Sequence, residues 1–213
     1  MYKTIKSIIP VRIKRFALRF VNKYAGNKAI KEWEKAGKPL PPPHIVKQRC
    51  VAEYARKYKT PVLVETGTFL GDMVQAQLKN FREIYSLELG GELAYKAQQK
   101  FEKYPHVHII QGDSATLLPE LLLKINGPAL FWLDGHYSGG ITAKGDKETP
   151  VIEELKAILT HSIKTHIILI DDARCFDGTH DYPTMDEIFN LVRSLNPNYI
   201  CTVNDDIIRC MPE

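Results

Sequence analysis

Acidic side chains close five apolar runs of this 213-residue sequence: Glu65, Glu88, Asp113, Asp134 and the consecutive pair Asp171-Asp172. Singly, such carboxylates cap the helices that follow them by accepting hydrogen bonds from exposed backbone N–H groups. Gathered together they make a negatively charged, hydrogen-bond-accepting crevice, and this second role explains more of the pattern. Glu65 and Glu88 precede their helices by several residues, and Asp171-Asp172 is a pair whose mutual repulsion costs energy unless something cationic relieves it. From the first acid, the segment Glu65-Thr66-Gly67-Thr68-Phe69-Leu70-Gly71 has the form acid-x-G-x-x-x-G. Its glycines let the backbone turn sharply and approach a ligand with no Cβ in the way. It is neither the G-x-G-x-x-G dinucleotide fingerprint nor a P-loop with its Lys-Ser/Thr pair, so its ligand need not carry a pyrophosphate. A plain tight turn is the alternative. Glu88 stands where an acid in dinucleotide folds accepts hydrogen bonds from a ribose diol.

These residues share one edge only if the runs are parallel strands. Runs 62–65, 84–88, 107–113, 129–134 and 166–171 are short, apolar and bounded by turn residues, and segments 72–80, 91–103, 114–124 and 149–160 have the length and composition of crossover helices. A helix over His44–Tyr58 precedes them and one over 184–195 follows. Residues 199–203, the polar break Asn204-Asp205-Asp206 and residues 207–211 read as a terminal hairpin contributing one antiparallel strand. The order predicts an α/β, Rossmann-like, seven-stranded and mostly parallel sheet with a terminal antiparallel hairpin. Ligands bind beyond the carboxyl ends of such strands, so the acids should converge on one crevice.

With those residues in place, a resemblance emerges. Val64-Glu65-Thr66-Gly67-Thr68-Phe69-Leu70-Gly71, Tyr85-Ser86-Leu87-Glu88-Leu89, Gly112-Asp113-Ser114 and Leu133-Asp134-Gly135 resemble the successive motifs of class I S-adenosylmethionine-dependent methyltransferases, over nearly all of residues 60–211. Within that superfamily, Val64-Glu65-Thr66-Gly67-Thr68, Leu133-Asp134-Gly135-His136 and Ile170-Asp171-Asp172 are most similar to the macrocin O-methyltransferase-like group, which methylates sugar hydroxyls. The resemblance implies that Glu65, Gly67 and Gly71 line the methionine side of S-adenosylmethionine, that Glu88 holds its ribose and that Asp113 and Ser114 flank its adenine; Thr66, Thr68 and Asp134 are further candidate cofactor-binding residues. It also implies that Asp134, Asp171 and Asp172 bind a divalent cation. One departure is that the family often has an acid two residues after the first metal Asp, where this sequence has His136.

Hard oxygen ligands select Mg²⁺, with Ca²⁺ or Mn²⁺ as substitutes, over thiolate-loving metals. Two vicinal substrate hydroxyls would complete the shell, positioning the nucleophile and lowering its pKa. Asp134 and His136 are the catalytic candidates, His136 as proton acceptor because imidazole titrates near neutrality; a turn residue or a water-mediated contact is the alternative. His180, beside Asp181, is a weaker candidate. The glycine-rich stretch 137–147 follows directly and is the candidate substrate loop, the alternative being a surface connection.

Composition narrows the class. With 44% hydrophobic and 25% charged residues, 13 Gly and 13 Pro, the chain suits one well-buried domain and excludes collagen-like, low-complexity and wholly disordered readings. The net charge of +4 is unevenly placed: residues 1–40 carry eleven Lys/Arg against two Glu, or +9, and residues 41–213 carry 18 basic against 23 acidic side chains, or −5. We therefore divide the chain into a basic amphipathic arm and linker, 1–40, and a catalytic-sized domain, 41–213. In the arm, Ile13, Phe16, Ala17, Phe20, Val21 and Tyr24 recur at helical spacing with Arg12, Arg15, Arg19 and Lys23 opposite. Such a helix packs on the body, lies on an anionic membrane surface or touches a nucleic-acid backbone. Gly26, Asn27, Gly37 and Pro39-Leu40-Pro41-Pro42-Pro43 read as a linker.

Cys50, Cys175, Cys201 and Cys210 show no C-x-x-C spacing, against a zinc site and a disulfide-stapled fold and in favour of a reducing cytoplasm. No bilayer-spanning stretch or signal peptide is evident, so a cytoplasmic protein is expected, with peripheral contact to an anionic membrane through the arm as one option, and either single or as a homo-oligomer. The expected partner is a small hydroxyl acceptor such as a sugar. A nucleic-acid methyltransferase using the arm is disfavoured by the absence of N/D-P-P-Y and Pro-Cys segments. A nicotinamide oxidoreductase is disfavoured by the missing G-x-G, and a non-catalytic cofactor-binding protein is the remaining alternative.

Overall fold

The structure is a computed structural model and describes residues 25–135 and 149–213. The basic helix expected over residues 11–24, His136 and the expected substrate loop 137–147 lie outside the described residues.

Seven strands form one sheet: β1 (Val62–Thr66), β2 (Glu83–Glu88), β3 (Val107–Gln111), β4 (Ala129–Leu133), β5 (Ile167–Ile170), β6 (Tyr199–Asn204) and β7 (Ile207–Pro212). Their order is β3-β2-β1-β4-β5-β7-β6. The pairs from β3 to β5 are parallel, and β7 runs antiparallel to both β5 and β6. The predicted architecture is therefore present, with the single antiparallel strand the sequence indicates. β4 (Ala-Leu-Phe-Trp-Leu) and β5 (Ile-Ile-Leu-Ile) are buried along their whole length, as central parallel strands covered on both faces require.

Helices cover those faces. Cys50, Val51 and Ala55 of α2 (His44–Tyr58), Met73 and Val74 of α3 (Asp72–Gln77), and Ala97 and Phe101 of α4 (Gly91–Phe101) pack with Leu63, Leu130, Trp132 and Leu169. On the other face α5 (Ser114–Leu122), α6 (Val151–Thr160) and α7 (Met185–Leu195) bring Leu118, Leu155, Ile158, Ile188 and Val192 against Val64, Phe131, Leu133 and Ile168. Successive strand residues thus alternate between two apolar layers, the period-2 geometry of a strand.

One element departs from the sequence reading. Residues 25–35 form a helix, α1, where Gly26, Asn27 and Gly37 suggest a linker. Tertiary contacts outweigh the weak local propensities: the indole of Trp33 is buried and donates to the Pro39 carbonyl at 2.8 Å, and Lys38 bonds Asp205 of the β6–β7 turn at 3.2 Å. Among the described residues no helix is long and apolar enough to cross a membrane.

The chain leaves β1 towards β2 on one side and pairs it with β4 on the other. This reversal of strand order is the switch point at which the carboxyl ends splay and leave a crevice. Backbone bonds carry the ladder past the strand ends into that crevice, from Gly67 N to Leu87 O (2.9 Å), Asp134 N to Thr66 O (3.1 Å), Gly112 N to Glu88 O (2.9 Å) and Asp171 N to Leu133 O (2.9 Å).

Candidate functional site

The glycine loop is fixed by close approach. Gly67 has φ +84°, and a Cβ there would stand 2.4 Å from the Asp134 carbonyl oxygen; Gly71 has φ +71°, and its Cβ would meet the Phe101 ring at 2.6 Å. The ends of β1 and β4 therefore abut through a position where no side chain fits.

Glu65 closes β1 and is 2% exposed. The Ser86 hydroxyl donates to its carboxylate, and Thr68 Oγ1 lies 2.6 Å from Ser86 Oγ, so loop, β1 and β2 share one hydroxyl chain. No cation among the described residues pairs with Glu65, and burial pushes its carboxyl up to about 8 although Ser86 works the other way. A buried carboxyl that lacks a cation suits an incoming ammonium group, whose charge favours the ionised form.

Glu88 ends β2 with both oxygens oriented by backbone N–H groups, from Phe69 at 2.7 Å and from Gly90 at 2.8 Å. Each carboxylate oxygen has a second acceptor direction, which leaves room for a diol.

Asp113 is exposed and caps α5, accepting from Ala115 N at 3.2 Å and from Thr116 Oγ1 at 3.1 Å. For this acid the helix-capping role is the one observed, while Ser114 beside it is buried.

At the ends of β4 and β5 the structure corrects the expected metal centre. Asp134 lies within electrostatic reach of Asp171 and Asp172, but a protein cation bridges the pair Asp171-Asp172. Lys47 of α2, itself buried, donates from Nζ to Asp171 Oδ2 at 2.6 Å and to Asp172 Oδ1 at 2.9 Å. Arg174 Nη1 donates to the same Asp172 Oδ1 at 2.8 Å and also to Asp206 in the β6–β7 turn. Asp171 Oδ1 is taken by the backbone N–H of Asp172 at 2.8 Å. Among the described residues no group of three His, Cys, Asp or Glu is placed to hold a metal ion. The repulsion within the acid pair is relieved by ammonium and guanidinium, so these residues as arranged do not fit a divalent cation.

Electrostatics agree with that arrangement. Burial works against the Lys47 charge, but Asp171 and Asp172 outweigh it and hold its pKa above the ordinary value. Burial, and then the Asp171 carboxylate, raise the Asp134 carboxyl well above the usual range, with Lys47 acting in the opposite sense. Asp134 therefore retains a proton more readily than a free aspartate.

Two residues at the site escaped the sequence reading. Lys47 lies on the buried stripe of α2 with Cys50, Val51 and Ala55, and Glu154 lies on that of α6 with Val151, Leu155 and Ile158. A charge on an apolar helix face is the signal that marks both. Glu154 is 1% exposed, its Oε1 has no hydrogen-bond partner among the described residues, and burial raises its carboxyl to about 7 although Ser114 and Thr66 work the other way. His180 is exposed, in a left-handed backbone conformation (φ +53°).

No protein-family model and no curated protein matches the chain. Solved structures do. An O-methyltransferase from Bacillus cereus in complex with SAH has a TM-score of 0.59 at 14% identity, covering 88% of this chain and 90% of that one. The SAH-bound Podospora anserina methyltransferase PaMTH1 has 0.55 at 19% identity, covering 98% and 100%. The O-methyltransferase TomG from Streptomyces achromogenes, involved in tomaymycin synthesis and in complex with SAM, has 0.55 at 16% identity, covering 88% of each chain. The chain has the class I methyltransferase fold.

Proposed function

We propose that the chain is an S-adenosylmethionine-dependent O-methyltransferase whose acceptor is a hydroxyl of a sugar or another small or polymeric polyol. The observation that carries the reading is Glu65, a buried carboxyl with no cation beside it among the described residues, placed at the β1 end next to the glycine loop and Glu88 at the switch point of this fold. The sugar acceptor rests on the likeness of Leu133-Asp134-Gly135-His136 and Ile170-Asp171-Asp172 to the macrocin-type group.

When bound, S-adenosylmethionine supplies an electrophilic methyl group on a sulfonium. Glu65 would take the ammonium of its methionine part, with Thr68 and Ser86 keeping the carboxylate oriented. Glu88, pre-aligned by the Phe69 and Gly90 amides, would accept from the ribose hydroxyls. Ser114 and Asp113 stand at the end of the next strand, on the adenine side. The acceptor oxygen would enter by Asp134, with His136 as the proposed proton acceptor. Catalysis then rests mainly on alignment, which is worth about 7–11 kcal/mol in well-oriented systems, and proton removal adds about 10²–10⁴-fold.

Calorimetric titration of S-adenosylmethionine tests this. Binding to the wild type that weakens at least about tenfold in Glu88→Ala supports the reading, an effect of the size expected for a lost diol contact. A wild type that binds neither S-adenosylmethionine nor SAH overturns it. Incubation with labelled cofactor and a panel of glycosides then identifies the acceptor by mass.

A further inference from the structure

We infer that Lys47 is a built-in cation that takes the place of a divalent metal between Asp171 and Asp172, making this chain a transferase that positions its acceptor independently of metal. The inference rests on the methyl-transfer reading for its functional half, and on geometry alone for the exclusion of the ion.

The acid pair occupies two consecutive positions after β5, and each carboxylate already has its partners. Nζ of Lys47 bridges Asp171 Oδ2 and Asp172 Oδ1, at 2.6 and 2.9 Å. A Mg²⁺ or Ca²⁺ ion binds carboxylate oxygen at about 2.0–2.6 Å, so an ion sharing those two oxygens would be pressed against the ammonium. Two positive centres at that range repel strongly in a buried setting. On the far side Arg174 holds Asp172 Oδ1 and is itself held by Asp206, so that one oxygen accepts from two protein cations at once. An added dication would have to displace both from it.

Lys47 is anchored for this task. It sits on the face of α2 that packs on the sheet, with Cys50 and Val51 following at helical spacing, and it is 9% exposed. A buried lysine held by two carboxylates has one geometry available, whereas a solvated one has many. Lys47 is accordingly a positioning residue: it fixes the two carboxylates that face the acceptor side of Asp134 and supplies the positive charge a metal would otherwise bring.

The test is Mn²⁺ binding to the full chain, followed by calorimetry and by the paramagnetic resonance signal of free Mn²⁺, for wild type, Lys47→Ala, Lys47→Gln and Lys47→Arg. The expected result is no saturable site in wild type or Lys47→Arg. A site at least about tenfold tighter should appear in Lys47→Ala or Lys47→Gln, because removing the ammonium raises the net ligand charge. Wild-type transfer should be unchanged after chelation and dialysis. A stoichiometric Mn²⁺ site in the wild type, transfer abolished by chelation, or a folded neutral variant that gains no Mn²⁺ overturns the inference. Circular dichroism shows whether each variant folds; if both neutral variants unfold, the wild-type and Lys47→Arg titrations still decide. The same samples are titrated with S-adenosylmethionine. Failure there removes the function reading and leaves the cation exchange standing.

Discussion

The Ser86 hydroxyl on β2 donates to the Glu65 carboxylate on β1, and this bond between neighbouring parallel strands is the main polar contact of a carboxyl raised to about 8 by burial. Glu65 therefore carries a proton at neutral pH in the free protein. Binding an ammonium requires the ionised form, so the ligand must lower this pKa and release the proton. Affinity for S-adenosylmethionine should rise with pH between about 6 and 8, by up to about tenfold per unit, and level off above about 8. Calorimetry in buffers of different ionisation enthalpy should register proton release near neutrality. Glu65→Gln should bind more weakly at about pH 8 and lose the slope; a flat wild-type profile would remove Glu65 from the ammonium contact.

Gly67 cannot carry a side chain. Its φ of +84° and the mere 2.4 Å that would separate a Cβ from the Asp134 carbonyl oxygen act together. Gly67→Ala should cost about 1–3 kcal/mol of stability, a strain of the ordinary size for such positions, and should displace the loop from Asp134. Thermal melts and cofactor titration together check this. An alanine variant that melts and binds like the wild type contradicts the packing described.

Glu154 makes a pH-dependent stability contribution of its own. Its carboxyl is near 7 in the folded protein against 4.5 as the ordinary value, because burial disfavours the charge. The folded state thus favours the protonated form: its benefit is complete below about 4.5 and is lost as pH rises through about 7. Glu154→Gln, neutral at every pH, should match the wild type near about pH 4 and exceed it by up to roughly 3 kcal/mol at about pH 8. Urea unfolding at the two pH values gives the comparison. A gain that is the same at both would show that the charge is not the cause.

Cys201 on β6 stands opposite Cys210 on β7, with their sulfur atoms 2.7 Å apart; all four cysteines are free thiols. Exposure to glutathione disulfide should close this pair by thiol–disulfide exchange, with two glutathione thiols released for each cross-strand disulfide formed. The intact mass should fall by two hydrogens in the wild type and remain unchanged in Cys201→Ser. Peptide mapping that finds Cys50 or Cys175 in the bridge would refute the pairing.

Much of the fold is legible in the sequence because its signals are local. The uninterrupted apolar runs of β4 and β5, the turn residues that bound them and the Asn204-Asp205-Asp206 break all act within a few positions, and each run ends within a few residues of the observed strand. The acids at the strand ends and the two strained glycines are legible for the same reason. Lys47 is not, because its meaning depends on a partner 124 residues away. Its position on an apolar stripe announces a buried charge, and likewise for Glu154, but only the packing of α2 over β4 and β5 says which acids receive it. Helix α1 fails in the opposite way: Gly26, Asn27 and Gly37 are correct local signals, overruled by burial of Trp33.

Asp206 gives the site a temporal order. Its carbonyl accepts from Ala173 N at 2.9 Å, and its carboxylate accepts from Arg174 N at 2.8 Å and from the Arg174 guanidinium. The turn of the terminal hairpin therefore shapes the segment just after β5, although the hairpin carries none of the proposed ligand contacts. During synthesis the glycine loop, Glu65 and Glu88 can meet early, while Arg174, which holds Asp172 beside Lys47, lacks its Asp206 brace until the hairpin has emerged and docked. A nascent chain would thus acquire its cofactor-binding half before its acceptor half.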